Sequence, residues 1–354
     1  MKHFAAAACM CLATWVMPAH AGSGVVGEGT YFSHGDWELA CDNTHTCRAA
    51  GYQADDEDLA VSVLLTRKAG AGRAVTGQLA LGDYGDEERQ LLDRLADPIT
   101  VALTIDGAPH GTVAVKKKTL VAELSQEQVT ALVASLARQS AIEFTAGKTT
   151  WHLSGSGAAA VLLKMDDYQG RVGTRGALIR KGALGEAGVK PSLPAPVVHK
   201  APVHDRALGP AAMFSPDDRA ALRKALASGA GEDCETSPET DEPDAIQAAW
   251  LDGRRLLVSM PCWRGAYNEG YGFWVVNDTP PFQPVLVTTD GTDYADGKIE
   301  ATQRGRGLAD CGSTDEWIWD GGRFVHANVS TWGLCKMVAA GGAWQLPTLV
   351  SDVR

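Results

Sequence analysis

Apolar and polar residues alternate with a period of two through much of this chain. Trp37, Leu39 and Cys41 are separated by polar or small residues, 59–66 and 99–105 are rich in branched apolar residues, and Asp106 and Gly107 divide the latter run from another alternating stretch at 112–115. A period of two puts every other side chain on one face, and an Asp-Gly pair accepts the positive φ of a tight turn, so the pattern predicts antiparallel strands and a hairpin. Helical spacing intervenes where Ser125 and Gln128 form a capping-box pair ahead of Val129, Leu132, Val133 and Leu136. That stretch predicts one amphipathic helix packed on the sheet. Strands resume at 141–144 and 149–153, while 158–164, after the Gly-Ser-rich 154–157, fits either a strand or a short helix.

Between 185 and 213 the periodicity disappears. Pro191, Pro194, Pro196, Pro202 and Pro210 lie there, and because proline removes a backbone donor the segment predicts a semi-extended linker without regular pairing. It divides the chain into two β-rich domains, 25–184 and 214–354. The second opens on Ser215, Pro216 and Asp218, a helix start with a capping hydroxyl, a proline at the first position and an acidic first turn. Leu222, Ala225 and Leu226 continue the stripe up to Gly229. Two hairpins follow: Asp252 and Gly253 join 245–251 to 255–260, and Asp320, Gly321 and Gly322 join 316–319 to 323–327. The expected fold class is therefore mainly β with a few helices, a β-rich α+β arrangement. A β-sandwich-like domain with one packed helix precedes a domain of antiparallel hairpins with an N-terminal helix.

Residues 1–21 change the picture of where this protein works. Lys2 supplies a positive start, 4–17 an apolar stretch, and Ala19, His20 and Ala21 a small-x-small cleavage site, which together predict a signal peptide and a mature protein beginning near Gly22 in the periplasm or outside the cell. The apolar stretch falls short of the ~20 residues that cross a bilayer, and no later segment approaches that length, so no membrane span is expected. Cys9 and Cys11 lack a lipobox-like context, which argues against a lipid anchor. The formal net charge is −11, and loss of Lys2 with the signal makes the mature chain slightly more acidic. A nucleic-acid partner is disfavoured on charge, whereas a basic protein partner is not.

Six cysteines remain after the signal: Cys41, Cys47, Cys234, Cys262, Cys311 and Cys335. An even set in an oxidising compartment predicts disulfides, with fifteen pairings possible. Cys41 and Cys47 are the only two in the first half and flank the polar stretch 42–46, so they are expected to bridge a hairpin loop. For the other four, Cys234 with Cys262 and Cys311 with Cys335 are favoured by proximity alone, and the remaining pairings stay open.

The segment from Trp37 through Thr44, continued by Cys47, Arg48 and Gly51-Tyr52, resembles the periplasmic bacterial proteins of the domain of unknown function 1176 family. Further matches lie at Pro261-Cys-Trp-Arg-Gly-Ala-Tyr-Asn268, at 304–312 around Asp310 and Cys311, and at 319–324. The resemblance spans most of the mature chain and implies compartment and architecture without supplying an activity. The first domain is also similar to the invasion-associated locus B proteins in its Trp-x-x-x-Cys…Cys opening, late helix and closing strand region, a likeness that would imply a β-sandwich.

Chemistry is sparse. No nucleophile elbow, zinc-protease helix, phosphate loop or dinucleotide fingerprint occurs, and neither a cofactor nor a metal is expected. Cys41, His45 and Cys47 lack zinc-cluster spacing, leaving His45 as a solvated turn residue. His152 beside Ser154 and Ser156 reads as a hydrogen-bonded strand histidine rather than a base with its nucleophile. Asp290, Asp293, Asp296 and Glu300 depart from the EF-hand order and read as an acidic turn, with calcium held as the alternative. The acids at 55–58 and 86–88 read as solvated loop charges. Aromatics give the better signal: Trp263, Arg264, Tyr267, Asn268, Tyr271 and Trp274 crowd one glycine-rich stretch, and tryptophan, tyrosine and arginine are enriched at recognition surfaces. The first expectation for these aromatics is nonetheless the core of a disulfide-bonded β domain, ahead of a dedicated binding site.

These residues point to a non-enzymatic binding protein with an envelope or secreted protein partner. Its specific form would be an inhibitor or immunity-type protein that presents 267–271 to a cell-wall hydrolase. The alternative is an envelope hydrolase using a carboxylate pair. Replacing Cys41 and Cys47 together by serine is expected to lower unfolding stability by roughly 2 kcal/mol from loop entropy. Non-reducing peptide mapping and urea denaturation check the bridge and its contribution.

Overall fold

A computed structural model describes residues 29–229, 234 and 246–354; the stretch 1–21, expected from the sequence to be an export signal, lies outside them. The first unit runs β1 (Thr30–His34), β2 (Trp37–Cys41), β3 (Cys47–Tyr52), β4 (Val61–Arg67), β5 (Val75–Leu81), α1 (Asp86–Asp93), β6 (Ile99–Ile105), β7 (Ala108–Val115), β8 (Val121–Glu123), α2 (Gln126–Leu136), β9 (Ile142–Ala146), β10 (Thr149–Leu153) and α3 (Ala158–Tyr168). A six-stranded sheet, β1-β2-β3-β4-β5-β8, faces a four-stranded sheet, β10-β9-β6-β7. Trp37, Leu39, Val63 and Leu65 meet Val101, Leu103, Phe144 and Trp151 between them, and α2 and α3 add Leu132 and Met165 to the same core. The Trp37 indole occupies the space a side chain at residue 51 would need, since a Cβ on Gly51 would fall 2.1 Å from it. Ser125 caps α2 in both directions: its hydroxyl accepts from the Gln128 amide, and the Gln128 side chain accepts from the Ser125 amide. Residues 158–164, open to either reading in the sequence, begin a helix. The acids at 86–88 are not in a loop; they form the first turn of α1, where the positive helix end favours them.

The second unit continues β11 (Val197–Val198), β12 (Gly209–Pro210), α4 (Pro216–Gly229), β13 (Gln247–Trp250), β14 (Arg255–Arg264), β15 (Glu269–Asn277), β16 (Val285–Gly291), β17 (Asp293–Ala295), β18 (Lys298–Arg304), β19 (Gly312–Trp319), β20 (Phe324–Thr331), β21 (Leu346–Leu349) and β22 (Asp352–Val353). Two five-stranded sheets form, β12-β13-β14-β15-β16 and β17-β18-β19-β20-β21. Leu251, Leu257 and Phe273 of the first pack against Ile299, Trp319 and Phe324 of the second. On the other face of the first sheet, Leu222 and Leu226 of α4 cover Leu256, Val258, Met260 and Trp274. The fold is thus mainly β with four helices among the described residues. Disulfides join Cys41 to Cys47, Cys234 to Cys262 and Cys311 to Cys335. Cys41 and Cys47 are buried in the first core, so losing their bridge also disturbs packing.

Proline does not keep 185–213 unpaired, contrary to the expectation for a linker. β11 pairs in parallel with β22, and β12 pairs with β13. Elsewhere in the stretch, Leu193 donates to the Thr44 carbonyl (3.2 Å) and Ala201 to the Trp319 carbonyl (2.9 Å). The residues between the prolines keep their backbone donors, and an extended chain can use them along an edge.

The two units also share a core. Ala40, Ala50, Tyr52, Leu64 and Ala80 on the outer face of the six-stranded sheet are covered by Val338, Trp344 and Leu346. Every residue of β2 is consequently buried, although its alternation reads as a strand with one wet face. Polar groups inside this interface are matched. The Trp344 indole donates to Ser62 Oγ (2.7 Å), and Asn43 exchanges two hydrogen bonds with the Val350 backbone. Glu38 is wholly buried and accepts from the Tyr52 hydroxyl (2.6 Å), the Leu334 amide (2.7 Å) and the Tyr31 hydroxyl (2.9 Å). Lys336 reaches Asp36 at 2.7 Å.

We propose that each unit nonetheless folds around its own core and that the shared cluster holds them together. Trypsin is expected to cut after Arg206, whose side chain is 79% exposed, and to leave two fragments that co-elute on gel filtration and separate only in denaturant. Fragments that part in native buffer would contradict the shared core. Burial pushes the Glu38 carboxyl above its ordinary value against the pull of its three donors. A raised folded-state value means a proton is taken up on folding. The associated stability is full below the ordinary glutamate range and is lost as pH rises through the raised value. Urea midpoints measured from about pH 4 to 8 should show this fall in the wild type and a flatter profile in Glu38→Gln.

Candidate functional site

The aromatic-rich stretch forms the β14–β15 hairpin, closed by a hydrogen bond from the Gly265 amide to the Asn268 carbonyl (2.8 Å). Strand alternation separates its side chains. Trp274 and Val276 point into the core beneath α4, whereas Phe273 joins the core between the two sheets, where Tyr271 packs against it. Trp274 is therefore fully buried, and burial removes it from any recognition surface. The expected six-residue surface contracts to the hairpin tip. Arg264 is exposed beside Glu269 (3.2 Å), and an ion pair this open contributes little. Trp263 lies across Gly270, where a Cβ would come within 2.2 Å of the indole, and donates to Asp290 Oδ1 (3.0 Å). Asn268 donates to the Arg304 carbonyl (2.8 Å) and accepts from the Arg304 amide (2.9 Å). Tyr267 is 46% exposed while its hydroxyl reaches the Gly305 carbonyl (3.2 Å). Gly305 sits beside the Cys311–Cys335 bridge, so the tip is braced against a cross-linked loop.

A second feature has a weaker trace in the sequence. A groove of about 470 Å³ runs between the edge strand β16 and β19–β20. Val285 and Leu286 are 64% and 37% exposed on its rim. Trp317 and His326 stack at 4.6 Å with ring planes 8° apart, and His326 Nε2 lies 2.9 Å from Asp315 Oδ1. A register shift between Glu316 and Trp317 brings the two rings together. The sequence placed Trp317 and His326 on the two strands of one expected hairpin, but nothing in it paired their rings.

Apart from the exposed Asp293, the remaining candidates are occupied structurally. Asp296 binds Lys200 (2.7 Å) and Arg206 (2.9 Å), and these hydrogen bonds hold its carboxyl down to about 2. Asp290 accepts from Trp263, and Glu300 from Lys298 (2.8 Å). These acids therefore spend their oxygens on separate partners. His45 is not simply solvated: its Nδ1 lies 2.9 Å from the Pro191 carbonyl, fixing the 185–213 segment. His152 faces Glu143 at 3.8 Å, and Ser154 Oγ donates to Asp36 (2.6 Å), so each has its own partner. Among the described residues, the one group of three potential metal ligands is Asp310, Cys311 and Cys335, and both sulfurs are bound in a disulfide.

Glu300 and Glu316 stand opposite each other on β18 and β19 and both accept from Lys298 at 2.8 Å. The Lys298 hydrogen bond lowers Glu300, the reverse of what a general acid needs. The carboxyls that burial pushes up, Glu38 and Asp166, are both wholly enclosed. No described helix is long and apolar enough to cross a membrane.

The chain is 26% identical over 334 residues to the "Uncharacterized protein YpfG" of Escherichia coli (strain K12), a match covering 89% of this chain and 90% of the relative. Comparison with solved structures finds invasion associated protein b from Bartonella henselae at a TM-score of 0.27 and 15% identity, covering 40% of this chain and 99% of that one. The family described as "Protein of unknown function (DUF1176)" matches residues 31–351, and with nearly the whole described chain inside that match, the protein belongs to this family.

Proposed function

We propose that this protein is a non-enzymatic periplasmic or secreted binding protein that presents the β14–β15 tip to a protein partner. One observation carries the reading: Tyr267 projects from the surface while the residues around it are hydrogen-bonded to 304–305. A protruding aromatic already held in place loses little freedom on binding, and such residues supply the anchors of interfaces. Arg264 adds a charged neighbour on the same tip. In its specific form the tip inhibits a cell-wall hydrolase by filling that enzyme's cleft. Three disulfides fit an oxidising compartment.

The carboxylate-pair hydrolase is disfavoured by Lys298, which neutralises both Glu300 and Glu316. A second recognition reading rests on the open rim of β16 beside the stacked Trp317 and His326. An extended peptide could add there as a further strand, with its side chains over the two rings.

Tyr267→Ala is expected to leave thermal stability nearly unchanged and to weaken partner capture from periplasmic extract by roughly 30-fold, the equivalent of about 2 kcal/mol for an aromatic anchor. Equal recovery by wild type and Tyr267→Ala, with loss in Trp317→Ala, would move recognition to the groove.

A further inference from the structure

In the first unit, a buried set of charges lies where β4, α3 and the following loop meet. Arg67, Asp166 and Arg171 are almost completely enclosed. Arg171 is well matched: Nε donates to Gln169 (2.9 Å), Nη1 to Glu186 (3.1 Å) and Nη2 to the Gly70 carbonyl (2.6 Å). Asp166 Oδ2 accepts from the Leu178 and Ile179 amides. Arg67 is the exception. Its Nε donates to the Arg73 carbonyl (3.0 Å), but its Nη1 makes no hydrogen bond; it has only a loose ion pair with Asp166 Oδ1 at 3.5 Å, and that oxygen also lacks a hydrogen bond. A buried cationic donor left in this state is costly.

Arg67 lines a cavity of about 240 Å³ between α2 and residues 175–181. Arg175 and Lys181 stand in the same wall, both exposed and without an ion-pair partner among the described residues. The lining contains these three cations, and the nearest carboxylates, Glu186 beside Gly176 and Asp166 behind Arg67, are engaged with Arg171 and with the Leu178 and Ile179 amides. The rest of the lining is mostly apolar, with Val129 and Val133 of α2 facing Leu178. Burial, and then the nearby charge of Arg171, lowers Arg67 to about 10 against the opposing pull of Asp166 and Glu186.

We propose that this cavity binds a small amphiphilic monoanion of the short-chain fatty-acid type, its carboxylate meeting Arg67, Arg175 and Lys181 and its alkyl chain lying along Val129, Val133 and Leu178. The size is below that of a drug-sized site, which suits a ligand of about ten heavy atoms. A carboxylate gives an arginine fork two acceptor oxygens, and desolvation by the apolar wall strengthens the contact. This site is separate from the hairpin tip and does not depend on it.

Octanoate is the probe, titrated into the full chain by calorimetry and followed by amide shifts. Saturable binding is expected, with shifts centred on Val129, Val133 and Leu178 and weakening as salt is raised. The Arg175→Gln/Lys181→Gln double variant changes only exposed side chains and should fold normally while losing at least tenfold in affinity. Octanamide, which keeps the chain but not the charge, should bind at least tenfold more weakly than octanoate. The proposal is overturned if octanoate binds the double variant as well as it binds the wild type. Equal affinity for octanamide or for inorganic phosphate would also overturn it, because the first removes the role of charge and the second that of the apolar wall.

Discussion

Glu38 lies without solvent exposure among Tyr31, Tyr52 and the Leu334 amide, on a face of the six-stranded sheet that Val338, Trp344 and Leu346 seal from water. An apolar sheet face must be covered by something, and here the covering comes from the other end of the chain. The C-terminal residues can reach it only because the second unit sits against the first. Once they do, the buried polar atoms need partners: Ser62 receives the Trp344 indole and Lys336 reaches Asp36. The 185–213 segment is held in the same manner, pinned by His45 at one end and paired with β22 further on. Its role is closer to a strap along both units than to a flexible spacer.

The same demand for burial explains what becomes of the aromatic residues. β15 sends Trp274 toward α4 and Phe273 toward the facing sheet, so residues adjacent in sequence support different cores. Only the hairpin tip escapes. There, hydrogen bonds to 304–305, rather than packing, fix the chain, and Tyr267 can remain exposed without being loose. At the other end of β15, the groove beside Trp317 and His326 combines an open strand edge with an aromatic floor. The second unit therefore offers two unlike surfaces, a rigid projection and an apolar furrow.

Charge follows a different logic. Most acids among the described residues are exposed or paired with a nearby cation, as Asp296 is with Lys200 and Arg206. At the mouth of the Arg67 cavity, Arg175 and Lys181 have no ion-pair partner among the described residues. In a sheet core, an enclosed guanidinium with an unused donor is difficult to retain for packing alone, since an apolar residue would fill the volume without the desolvation cost. This contrast distinguishes the cavity from the paired charges elsewhere on the surface.

Local signals settled the local structure. Asp106 and Gly107 make their turn, Ser125 and Gln128 cap their helix, and Ser215 accepts from the Asp218 amide at the start of α4, because turns and caps are decided by residues within a few positions of one another. The sequence by itself also determined the mainly β class, through its period of two, and the spacing of cysteines that the three disulfides join. Tertiary structure decided the rest. Alternation identifies Trp37 and Glu38 as lying on opposite faces of β2, but only the folded chain determines that both faces are buried, because the cover is nearly three hundred residues away. The stacking of Trp317 on His326 requires a register shift, and the wall of Arg67, Arg175 and Lys181 requires α2 to lie across a distant loop. Such groups meet through long-range packing, whose free energy depends on the whole fold and leaves no periodic mark on the residues it brings together.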